Sequence, residues 1–173
     1  MGRTRKIFLL VIGLLAVISI IFFVYQFRYK RNTEQKLSPD QQKVVELLGH
    51  PDQFAVSYIE NDNSQLVRTE VWLYQNNDQR ITFLKGALIA SEIYKSSDKY
   101  SSTPLHPEDF YFDQDFKDIE KIVGKDKLFE VKDFPGISDS NDIKVYGSDE
   151  IVFVIENGYL TYIQTLAREG TGQ

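Results

Sequence analysis

The side chains best suited to proton or metal chemistry in this 173-residue chain are its two histidines, His50 and His106, and the acids that follow the second. Imidazole changes charge near neutral pH and is a common nitrogen ligand, so a histidine beside carboxylates is where acid–base or metal work is first sought. His106-Pro107-Glu108-Asp109 has the make-up of half a metal site, and Asp113 is the acid that an acid–base couple with His106 would use. A second nitrogen ligand close by in sequence is missing, however, and His50 follows a helix-stop glycine, where a loop position accounts for it. Both histidines therefore read as structural or solvent-facing. Asp113-Gln114-Asp115 and Asp118 are acidic, yet Asp115 is a natural helix cap. Asp139-Ser140-Asn141-Asp142 lacks the central glycine and distal glutamate of a calcium loop and reads as an Asx turn. Neither a phosphate-cradling glycine loop nor a nucleophile elbow occurs, and the lack of cysteine removes thiolate and disulfide chemistry. The expectation is no catalytic residue, no metal, no cofactor and no enzyme.

The aromatics point to binding instead. Phe110-Tyr111-Phe112 is dense for a segment leading into a helix, and Trp72 and Tyr74 share one face of a strand whose other face carries Val71 and Leu73. One face of that strand must meet the helices, which leaves the other as a candidate recognition surface. Trp72, Tyr74, Tyr111 and Phe112 are thus the candidate partner-binding residues, with core packing as the competing reading.

The elements that position them are legible in outline. Ser38-Pro39-Asp40-Gln41 opens a helix through a cap, a first-turn proline and a capping box; Val44, Leu47 and Leu48 form its apolar stripe, and Gly49 and Pro51 stop it. Strands are predicted over 54–59, 67–75, 79–83 and 87–94, with turns at Asn76-Asn77-Asp78 and Lys85-Gly86. Ile119-Glu120-Lys121-Ile122-Val123-Gly124 then echoes Val44-Val45-Glu46-Leu47-Leu48-Gly49. Tyr146, Phe153, Gly158 and Leu160 follow in the register of Tyr74, Ile81, Gly86 and Leu88. The chain beyond residue 36 is accordingly expected to be an α+β fold of two tandem helix-plus-antiparallel-strand units, at 37–95 and 108–173, joined by a connector at 96–107. Together they would form one sheet with the helices on one face.

Leu47-Leu48-Gly49-His50-Pro51-Asp52, followed by strands carrying Trp72, Tyr74, Phe83 and Gly86, resembles the SmpA/OmlA family, and two such units in tandem are similar to the β-lactamase inhibitor protein architecture. The resemblance departs at Gly124-Lys125-Asp126, where no proline follows, and in the lack of an acyl cysteine. It implies a binding or scaffold module.

Address is read from the start of the chain. Residues 7–27 carry no charge, a length that matches a hydrocarbon core of roughly 30 Å at about 1.5 Å per residue. They are expected to form a transmembrane helix, with a short basic tail at 1–6 and a juxtamembrane linker at 28–36. The bulky Phe22-Phe23-Val24-Tyr25 argues against signal-peptide cleavage, so the segment reads as an uncleaved signal-anchor. The first 36 residues hold seven basic residues and one acid, a charge of +6, so the chain's −5 leaves −11 for the remainder, which disfavours nucleic acid. The resulting expectation is a single-pass membrane protein of the cell envelope whose domain lies outside the cytoplasm. It would touch the lipid bilayer through residues 7–27 and bind or scaffold another envelope or membrane protein. The alternative is a ligand-sensing or accessory subunit of a membrane complex, with a pocket between helix and sheet.

Overall fold

A computed structural model describes residues 36–95, 100–124, 127–132 and 142–166. Helix α1 (Pro39–Leu48) starts where the sequence places its cap: Ser38 Oγ accepts from the Gln41 amide at 3.1 Å and Gln41 Oε1 accepts from the Ser38 amide at 2.9 Å. Its buried stripe differs from the expected one. Gln41 and Val44 are buried and Val45 and Leu48 partly so, whereas Leu47 points to solvent. Four strands follow: β1 (Gln53–Glu60), β2 (Leu66–Tyr74), β3 (Gln79–Leu84) and β4 (Ala87–Ile93). A 3-10 turn at Pro107–Asp109 leads to α2 (Phe116–Val123), capped by Asp115, and then to β5 (Phe129–Glu130), β6 (Ile143–Gly147), β7 (Ile151–Glu156) and β8 (Tyr159–Thr165).

All eight strands join one antiparallel sheet in the order β4-β3-β2-β1-β8-β7-β6-β5. The hairpins at Lys85-Gly86 and Asn157-Gly158 turn through consecutive positive-φ residues, the backbone that matches strand twist in a two-residue turn. At the middle of the sheet β1 pairs with β8, and Thr165 Oγ1 accepts from the Phe54 amide at 2.9 Å and donates to the Phe54 carbonyl at 3.1 Å. One hydrophobic cluster lies on the helix side, built from Val44 of α1, Phe54, Trp72, Phe83, Ile119 and Val123 of α2, Phe153, Ile163 and their neighbours. The described residues form a single compact unit.

Several expectations are corrected here. The fold is predominantly one eight-stranded antiparallel sheet, and its described α-helices are only two, of ten and eight residues. It is not the α+β fold of tandem repeats on a transmembrane helix that the sequence suggested, and the repeat description is withdrawn. The physical reason is that the two stretches are not equivalent: the two-residue β5 stands where an eight-residue β1 would be required, and the sheet rather than the helices makes up most of the fold. No helix among the described residues is long and apolar enough to cross a membrane. The longest, ten residues, spans about 15 Å, half of a bilayer's hydrocarbon thickness. The stretch 7–27 lies outside the described residues, as do Asp139-Ser140-Asn141, and the single-pass, signal-anchor and envelope placement is likewise withdrawn.

Candidate functional site

The four residues singled out for partner binding divide by burial. Trp72 and Tyr74 face the helices, at 0% and 3% exposure, so neither can present itself to a partner. Trp72 packs against Phe83 in a tilted arrangement, ring centroids 4.6 Å apart, and donates through Nε1 to Glu70 Oε2 at 3.1 Å; the Tyr74 hydroxyl donates to the Gly49 carbonyl at 3.0 Å. The alternation read from sequence holds with the faces exchanged: Val71 and Leu73 lie on the open side. Phe112 is half-buried between Tyr58 and Tyr159, with ring centroids 5.6 and 5.4 Å away. Tyr111 is also half-buried, and its amide donates to Gln114 Oε1 at 2.9 Å.

The open side of the sheet carries a hollow of about 360 Å³ lined by Ser57, Thr69, Val71, Leu73, Tyr162 and Gln164 among others. It lies away from the helices, not between helix and sheet, because Phe54, Trp72 and Phe83 fill the latter space. Arg80 and Tyr94 reach the hollow from β3 and from the residue after β4. Strand β4 is the end of the sheet and pairs only with β3 among the described strands. Its apolar side chains are exposed, Ile89 at 56% and Ile93 at 84%, an unusual state for a strand edge in a protein that acts alone.

A second cluster joins residues distant in sequence. His50, just beyond α1, meets His106 of the connector and Glu108 of the 3-10 turn that follows it: the two imidazole centroids are 4.0 Å apart, and His50 Nδ1 is 3.6 Å from Glu108 Oε1. The loop after α1 and the connector are tied by the Thr103 amide donating to the Asp52 carbonyl at 2.8 Å and by Ser102 Oγ donating to the Asp52 carboxylate. Asp113, weighed as the acid for His106, is not part of this cluster.

A buried charge pair holds the connector from below. Arg68 Nε donates to Glu70 Oε1 at 2.7 Å, and the same oxygen accepts from Gln41 Nε2 of α1 at 2.7 Å. The rest of the guanidinium reaches the Tyr58 hydroxyl, the Phe110 carbonyl and, at 2.7 Å, the Pro107 carbonyl that lies between His106 and Glu108. Burial opposes the charge on Arg68, but Glu70 and Tyr58 outweigh it and leave the guanidinium pKa above its usual value. Burial likewise pushes the Tyr58 phenol up to about 12 despite the attraction of Arg68.

Sequence reading missed the histidine pairing and the exposed β4 edge. Each histidine precedes a proline (His50-Pro51, His106-Pro107), and that shared dipeptide was the available signal. In comparison with known proteins, no family model, curated protein or solved structure matches this chain.

Proposed function

We propose that this chain is a non-catalytic protein-binding module that takes an extended segment of a partner polypeptide along the outer edge of β4. One observation carries the reading: a seven-residue terminal strand exposes Leu88, Ile89 and Ile93 beside a hollow on the sheet's open face. Strand addition satisfies an edge's backbone groups in any sequence, while the side-chain pockets alongside supply selectivity. The helix-stop motif Leu48-Gly49-His50-Pro51 that resembles the SmpA/OmlA family fits a binding role as well.

A displayed peptide library selected against the full chain tests this. Selected peptides are expected to alternate apolar residues, to protect β4 amides from hydrogen exchange, and to bind at least about tenfold more weakly to an Ile89→Lys, Ile93→Lys variant. Both substituted side chains are exposed, so the fold should tolerate the charges. Peptides that bind the variant equally well, or that leave β4 exchange unaltered, would refute the proposal.

The hollow supports ligand sensing as a second reading, with Arg80 supplying a cation for a carboxylate or phosphate group. A metabolite panel that raises the melting temperature of the wild type but not of Arg80→Ala would favour it over strand addition.

A further inference from the structure

We propose that His50, His106 and Glu108 form a binding site for a divalent transition-metal ion of the zinc type, which clamps the end of α1 to the connector. The ligand atoms of the three residues all lie within 4.8 Å of one another. Ligand atoms around a zinc ion bound at about 2.1 Å stand about 3.4 Å apart, so the widest pair needs to close by at most about 1.4 Å, within reach of side-chain rotation. The pair His50 Nδ1 and Glu108 Oε1, at 3.6 Å, is already near that spacing.

Two further observations set this cluster apart from a chance meeting of polar side chains. Nδ1 of His106 and Oε2 of Glu108 are both buried and have no hydrogen-bond partner among the described residues. A buried nitrogen and a buried carboxylate oxygen left without partners each carry a desolvation penalty that coordination would remove. The backbone around all three ligands is also fixed by separate contacts. The Tyr74 hydroxyl holds the Gly49 carbonyl just before His50, and Arg68 holds the Pro107 carbonyl between the other two. The scaffold is therefore assembled by the fold itself, which favours affinity because little ordering remains for the ion to impose.

The donor set selects the ion. Two imidazoles and one carboxylate suit zinc, cobalt or nickel better than magnesium or calcium, which prefer oxygen throughout. Three protein ligands leave one tetrahedral position for water or for a donor from a partner. The ion's effect would be mechanical: it would join residues 50 and 106–108, which the chain separates by the whole of β1 to β4.

The full chain, purified without a histidine tag and stripped with chelator, would be titrated with Zn²⁺ and with Co²⁺. The expected result is one equivalent bound, visible ligand-field bands from the cobalt form, and a rise in melting temperature of about 5 °C at saturating zinc. His50→Ala, His106→Ala and Glu108→Gln should each weaken binding at least about tenfold. These variants remove every histidine in turn, and no cysteine exists to compete. His50 is the most exposed of the three ligands, so His50→Ala should still unfold cooperatively without metal and separates lost coordination from lost folding. No saturable binding below about millimolar metal would overturn the proposal, as would equal binding by the wild type and a cooperatively folded His50→Ala variant.

Discussion

At the scale of single residues, Arg68 has more depending on it than any other charged side chain in the sheet. It neutralises Glu70 inside the protein and at the same time holds the carbonyls of Pro107 and Phe110. Arg68→Met keeps most of the packing but leaves a buried carboxylate without its cation. The expected loss is about 3–5 kcal/mol of unfolding free energy, read from urea denaturation. A loss below about 1 kcal/mol would mean that Gln41 and Trp72 alone satisfy Glu70. Residue by residue, the sequence was a poor guide to such groups. Trp72 and Tyr74 were legible as sharing one face, but which face the helices would cover depends on packing that no local pattern encodes. His50 and His106 looked bland singly because the meaning lies in a contact across 56 positions.

At the scale of elements, much more could be read in advance. The Ser38 capping box, the Gly49 stop, the Lys85-Gly86 turn and the Asp115 cap are all local chemistry, and local chemistry is visible in one sequence. What escapes it is the tie between elements. Ser38 Oγ caps α1 and also donates to the Gly86 carbonyl at 2.5 Å, fastening the helix start to the β3–β4 turn. This separates two glycines that look equivalent. Both Gly86 and Gly158 have positive φ, +79° and +85°, yet a Cβ on Gly86 would meet Ser38 Cβ at 2.8 Å whereas one on Gly158 meets nothing within 4 Å. Gly158→Ala should lose about 1 kcal/mol from left-handed strain alone. Gly86→Ala should lose about 2–3 kcal/mol, since the helix start must also shift. Equal losses in thermal unfolding would show that the turn and α1 move apart easily.

At the scale of the whole molecule, one core on one face of one sheet predicts one transition. Tryptophan fluorescence reports on Trp72 in the first half, and hydrogen exchange at Phe153 and Ile163 reports on the second. Both should show the same denaturant midpoint, and separate midpoints would reveal halves that unfold independently. Here the sequence misled most. The two stretches at 37–95 and 108–173 share helix and hairpin patterns, which suggested two equivalent repeats, whereas the first brings an eight-residue β1 to the seam and the second has only the two-residue β5 in the matching place. That seam has a consequence for how the chain is made. Strands β1 to β4 can pair as they leave the ribosome, but the far side of β1 waits about a hundred residues for β8. Until then a nascent chain offers a naked strand to its neighbours on the polysome. A message cut short anywhere before codon 159 would release a product with that side permanently unmatched.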